Sequence, residues 1–114
     1  MNFQTPDSII EDLRNLRSES AKGVDALFAA EEKVARLRIN YDTARSKALL
    51  EAKGTVVDRE ALACLATESI KLDLDIAVAE LSRVKTKLRI LQDAQTSIQT
   101  QARMVELTYK TAGL

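Results

Sequence analysis

Histidine and tryptophan are absent from this sequence of 114 residues, and cysteine occurs once, at Cys64. Without histidine the chain lacks the commonest general base and the commonest metal ligand of proteins. A single cysteine cannot form an intrachain disulfide, which fits a reducing compartment. The sequence also contains no phosphate-binding loop and no nucleophile beside a base. We therefore expect a protein that is not an enzyme and that holds no metal or cofactor.

Glycine (3 residues), proline (1) and aromatic residues (4%) are scarce as well. A fold of strands and tight turns needs more glycine and proline, so their scarcity favours a few long helices. A chain of this length forms one domain at most. We predict an all-α fold in a single helical domain over residues 1–114.

The sequence has no excess of positive or negative charge and no long hydrophobic run. Lysine plus arginine and aspartate plus glutamate each total 17, so the net charge is zero and any anion site must be local. Residues 1–6 lack the basic flank and apolar core of a signal peptide, and no apolar run reaches the length of a membrane span. These observations predict a cytoplasmic protein that makes no membrane contact.

What the sequence does contain is a heptad pattern in its second half. Apolar residues recur at intervals of four and three from Ile70 to Tyr109, which is the spacing of a coiled-coil helix with positions a and d inward. We call these positions the second seam and expect them to form the core or an oligomer interface. Its central residues are Leu74, Leu81, Val84, Leu88, Leu91, Gln95 and Ile98.

The first half repeats the pattern from Ile9 to Ala48, here called the first seam. Between the halves, Lys53–Gly54 reads as a helix end and Thr55–Asp58 as a capping box. We predict a helical run over about 6–53, a turn at 54–55 and a helix over about 56–111, folded as a long antiparallel, coiled-coil-like hairpin. Ser20 and Gly23 are weak seam residues, so residues 18–23 either bend the first helix or allow a close partner.

A second apolar stripe follows the start of the second helix and consists of Leu62, Leu65, Leu72, Ile76 and Ala79. A two-helix hairpin cannot bury two stripes, so this one requires a folded-back N-terminal helix or another subunit. The polar residue Gln95 at a core position can fix register or oligomer number. We expect a homo-oligomer.

Two groups of basic residues are candidate binding sites. The first contains Arg36 and Arg38, with Lys33 a turn before and Arg45 and Lys47 beyond, and the second contains Arg83, Lys85, Lys87 and Arg89. They are either a solvated face paired with acids such as Asp25, Glu31 and Glu32, or a track for a phosphate backbone that a ring of subunits would multiply.

Three other residue types have ordinary interpretations. Tyr41 lies on the first seam, where core packing is favoured over stacking with a base. Cys64, in the apolar run 61–66, is expected to be a small buried residue. Asp73 and Asp75 diverge on a helix because they are two residues apart, so they do not form a shared metal site.

The segment Val34-Ala35-Arg36-Leu37-Arg38-Ile39-Asn40-Tyr41 resembles one in the phage recombination mediators of the UvsY family. There too, two basic residues straddle a small or apolar one and are followed by an aliphatic residue, a polar residue and tyrosine. A short linker and a heptad-patterned helix follow in both. This family is small, helical and oligomeric, binds single-stranded DNA and helps to load a RecA-like recombinase. The resemblance implies that Arg36 and Arg38 are the DNA-contacting pair.

Two hypotheses follow from the sequence. The first is a bacteriophage recombination mediator that binds single-stranded DNA without base readout, through Arg36, Arg38, Lys85, Lys87 and Arg89, in the cytoplasm of a bacterial host. The second is a structural or protein-interaction helical module, such as an assembly adaptor or an inhibitor of a host factor, that binds no nucleic acid.

Overall fold

A computed structural model describes residues 5–112 of the chain. It contains three helices, α1 (Pro6–Glu51), α2 (Val56–Ala66) and α3 (Glu68–Thr111), and no strand within that range. The expected all-α fold is confirmed. None of these helices combines the length and the apolar character that crossing a bilayer requires.

The first helix begins where the sequence supplies a cap. The backbone N–H of Ser8 donates to Thr5 Oγ1 (3.2 Å), and that of Thr5 donates to Ser8 Oγ (3.1 Å). Pro6 occupies the first helical position, where a missing N–H carries no cost. The helix then continues through residues 18–23 without interruption.

The turn after α1 depends on Gly54, which has φ +119°. A side chain at this backbone angle would be strained, so glycine is the residue that fits. Thr55 caps α2 by accepting a hydrogen bond from the N–H of Asp58 (3.2 Å). The guanidinium of Arg59 donates to the carbonyl of Leu49 (2.8 and 3.3 Å), which joins the start of α2 to the end of α1.

The helix predicted over 56–111 is divided at Thr67, a feature that the sequence interpretation did not include. Thr67 is buried, with φ −111° and ψ 10°. Its hydroxyl donates to the carbonyl of Ala63 (2.7 Å), and its N–H is shared between the carbonyls of Ala63 and Cys64 (3.1 and 3.3 Å). The hydroxyl bond alone does not account for the division, because Thr96 and Thr100 make the same bond inside the continuous α3.

The chain forms two compact units, one of residues 27–84 and one of residues 1–26 with 85–114. In the unit 27–84, a buried cluster of Val34, Leu74 and Ala77 joins α1 to α3, and Leu37, Tyr41 and Leu81 pack against it. Beside this cluster, at the surface, Lys33 Nζ lies 3.3 Å from Glu80 Oε2. Because α1 and α2 are linked by a short turn in this unit, the two helices run in opposite directions.

In the other unit, the N-terminal part of α1 packs against the C-terminal part of α3. Gly23 approaches Leu88 so closely that an added Cβ would overlap Leu88 Cδ2. Ser20 Oγ is buried there, with no hydrogen-bond partner within the described residues. Near the helix ends, Ile9 and Leu13 of α1 and Val105 of α3 line a cleft of about 420 Å³.

Candidate interaction surfaces

The second seam is the inward side of α3. Leu74 is buried, and the other central seam residues are half-buried: Leu81, Val84, Leu88, Leu91, Gln95 and Ile98. Ala63 (0% exposed) and Thr67 (2%) continue the four-and-three spacing back into α2. The sequence interpretation missed these two residues, although their spacing to Ile70 was available as a signal.

The second apolar stripe remains exposed. Leu65 is 70% exposed and Leu72 59%, whereas Leu74, two positions along the same helix, is 9% exposed. We call this stripe the outer face and define it by Leu62, Leu65, Leu72, Ile76 and Ala79, all of them exposed. The sequence predicted that either a folded-back N-terminal helix or another subunit covers this face. The structure shows no residue of α1 covering it.

Acidic residues border the outer face on both sides. On a helix, the positions next to this stripe are those of Glu68 and Asp75 on one side and Asp73 and Glu80 on the other. Glu80 contacts Lys33. Within residues 5–112, no lysine or arginine nitrogen lies within 4.0 Å of the other three carboxylates. We call these four residues the acidic flanks.

A groove of about 430 Å³ adjoins the outer face in the unit 27–84. Tyr41 forms part of one wall, and Leu65, Lys71 and Leu72 form part of the other. Tyr41 is half-buried against the core cluster, as expected for core packing, and only part of it reaches the groove. Cys64 also lines the groove and is exposed, so the expectation that it is buried is wrong: Ala63, the preceding residue, takes the inward position.

The first basic group does not converge. Arg36 Nη2 lies 2.8 Å from Glu32 Oε1, one turn earlier on α1, and its Nε donates to the same oxygen (3.1 Å). Arg38 is exposed, and no carboxylate within residues 5–112 lies within 4.0 Å of its guanidinium. Arg36 and Arg38 are two residues apart, which corresponds to about 200° of rotation around a helix. Their guanidinium groups therefore leave α1 in different directions.

The second basic group is exposed and unpaired. Its four members are Arg83, Lys85, Lys87 and Arg89. In the described part of the chain, no carboxylate oxygen lies within 4.0 Å of their charged nitrogens. The alternative in which Glu32 would pair with them is not observed, because Glu32 binds Arg36. Helical spacing puts Arg83 and Lys87 on one side of the second seam and Lys85 and Arg89 on the other.

No cluster of three metal-ligating side chains occurs among residues 5–112. The described surface includes two patches that can bind a partner: an apolar helix face with acidic flanks, and exposed basic side chains on α1 and α3. Comparisons of the chain with protein-family models, with curated proteins and with solved structures find no match.

Proposed function

We propose that this chain is a structural, protein-interaction module: an antiparallel helical hairpin that binds another helix along its outer face. The observation that carries the proposal is the exposure of four large apolar side chains in one stripe, at 48–70% for Leu62, Leu65, Leu72 and Ile76. Single exposed apolar residues are common on protein surfaces, but a contiguous apolar stripe is typical of an interaction site.

The spacing of the outer face favours a helical partner. Its residues recur at intervals of three, four and seven along α2 and α3, which is the pattern of a second coiled-coil seam on the side of the helix away from the core. A partner that buries the exposed remainder of these side chains gains about 3–6 kcal/mol of transfer free energy. The apolar side chains of the partner add a comparable gain, and the cost of association offsets most of the total, so we expect reversible binding.

A synthetic helix tests the proposal. The probe is a fluorescent peptide of about three heptads, with leucine at positions a and d and glutamine at the flanking positions. Leu62→Ser with Ile76→Ser should weaken its binding roughly tenfold, as measured by fluorescence anisotropy. Ile39→Ser is the matched control, because Ile39 is 65% exposed but lies on α1, and it should leave binding unchanged. Absence of binding to the unmodified protein would refute the proposal.

A second function, single-stranded DNA binding by a homo-oligomeric recombination mediator that assists a RecA-like recombinase, is favoured by the unpaired second basic group. Arg83, Lys85, Lys87 and Arg89 are free to contact phosphates, and several subunits would multiply their number. Arg38 would contribute from α1, whereas Arg36 would first have to leave Glu32. Exposed ion pairs are weak, so this exchange costs little.

A salt titration with a single-stranded oligonucleotide separates the two functions. Affinity that falls steeply with salt, and that is lost in Lys85→Ala with Lys87→Ala and Arg89→Ala, supports the mediator. The control is Lys53→Ala, an exposed lysine outside both basic groups. Light scattering on the same samples gives the oligomer mass. Lack of oligonucleotide binding at low salt would exclude the mediator and leave the interaction module unaffected.

A further inference from the structure

We infer that the partner of the outer face is a basic amphipathic helix, with an apolar stripe bordered by lysine or arginine. This inference rests on the proposed function, since it specifies the chemistry of the helix that the outer face binds. It is carried by the acidic flanks: of the five charged residues between positions 61 and 80, four are the acids Glu68, Asp73, Asp75 and Glu80, and one is the base Lys71.

The nearby basic residues do not neutralise these acids. Lys33 contacts Glu80 alone. Arg59 is held at the carbonyl of Leu49, where its guanidinium makes two hydrogen bonds. Lys71 lies one turn from both Glu68 and Asp75, but no carboxylate within residues 5–112 is within 4.0 Å of its ammonium group. The outer face therefore presents three unpaired carboxylates to whatever covers it.

A second copy of the chain fits this face poorly. In an antiparallel pairing that places Leu65 of each copy against Ile76 of the other, Glu68 of each copy faces Asp75 of the other. A parallel pairing in register places Glu68 beside Asp73 and Asp75 beside Glu80. Each arrangement sets like charges next to the apolar contact, which disfavours it.

A basic helix on the outer face is attracted to the acidic flanks. Its apolar residues pack between the two rows of acids, and its flanking cations lie next to Glu68 and Asp75 on one side and Asp73 on the other. Opposite charges at the edges of a helix pair set the choice and orientation of the partner more than they set its affinity. Because these edges are open to solvent, the preference should decrease as salt increases.

The test compares three peptides that share one leucine core and differ only at their flanking positions, which carry lysine, glutamine or glutamate. We expect the lysine peptide to bind the unmodified protein roughly tenfold more tightly than the glutamine peptide at low salt, and the glutamate peptide to bind more weakly than either. Asp73→Lys with Asp75→Lys should reverse the order of the lysine and glutamate peptides. Asp25→Lys with Glu31→Lys, both on α1, is the charge-matched control and should not.

The possible outcomes distinguish the inferred basic partner from the proposed helix-binding function. If the glutamine peptide binds and the lysine peptide binds no better, the basic partner is refuted and the interaction module stands. If no peptide binds, both are refuted. Sedimentation of the unmodified protein provides a further check: self-association that Leu62→Ser with Ile76→Ser abolishes would assign the face to a second copy and overturn the inference. Circular dichroism verifies that each variant is folded.

Discussion

The close approach of Gly23 to Leu88 predicts a coupling that a double-mutant cycle can measure. An alanine Cβ at position 23 would overlap Leu88 Cδ2 and would lie 3.3 Å from Leu88 Cγ and 3.9 Å from Leu91 Cδ1. Replacing a helical glycine by alanine normally stabilises the folded state by about 1 kcal/mol. Overpacking costs about 1–3 kcal/mol. Because the overlapping atom is the end of a side chain that can rotate, the cost should lie near the lower limit.

Gly23→Ala should therefore change the free energy of unfolding little, with the gain in helix propensity offset by the displacement of Leu88. In a Leu88→Ala background the overlap is gone, so the same substitution should stabilise the protein by about 1 kcal/mol. The expected coupling between the two positions is then about 1 kcal/mol. Urea unfolding followed by circular dichroism measures all four corners of the cycle.

The control is Ala21→Gly, which alters helix propensity in the same turn at an exposed position. It should cost about 1 kcal/mol in both backgrounds, since Ala21 is outside the first seam. If Gly23→Ala instead stabilises the protein equally in both backgrounds, position 23 is open, and the close contact between α1 and α3 in this unit is refuted.

Substitutions at four further positions test local features. Gly54→Ala should cost about 1–2 kcal/mol of stability, because an alanine is strained at φ +119°, and Gly54→Asn should cost less. Thr55→Ala should cost about 1 kcal/mol by removing the α2 cap, and Thr55→Ser should restore most of it. Ser20→Ala should stabilise the protein by up to about 1 kcal/mol, because it removes a buried hydroxyl without a partner. Lys33→Met should cost less than about 0.5 kcal/mol, since its ion pair with Glu80 is exposed. Urea unfolding checks each value, and a sign opposite to that stated contradicts the corresponding contact.

Helix type and turn position could be predicted from the sequence because local chemistry decides them. The spacing from Ile9 onward indicates one inward side of α1, and Gly54 with Thr55 supplies both the backbone angle and the cap of the turn. The division at Thr67 could not be predicted in this way. A threonine at a seam position gives no hydrophobic signal, and its hydroxyl bond to the preceding turn does not mark a division, since the exposed Thr96 and Thr100 make the same bond within the continuous α3.

The candidate sites were less predictable, for physical reasons that differ between residues. The run 61–66 is apolar on every side, so within the run only the four-and-three spacing back from Ile70 distinguished the inward Ala63 from the outward Cys64. The pairing of Arg36 with Glu32 was predictable from the sequence, because an acid four residues before a base is a standard helical ion pair. The significance of the acidic flanks depended on which stripe stayed exposed, and that required the packing of α1 against α3.

The unequal outer sides of the helices in the unit 27–84 limit how many partners the chain can hold. Leu62, Leu65, Leu72, Ile76 and Ala79 form an apolar track on α2 and α3 that holds one polar residue, Ser69, and no charge. On the corresponding side of α1, the Glu32–Arg36 ion pair and Thr43 interrupt the exposed Phe28, Ile39 and Leu50. A helix added to the outer face therefore has no equivalent site across the core. The outer face of each chain should accept a single helix, so assembly through this surface ends at a one-to-one complex instead of growing into a fibre.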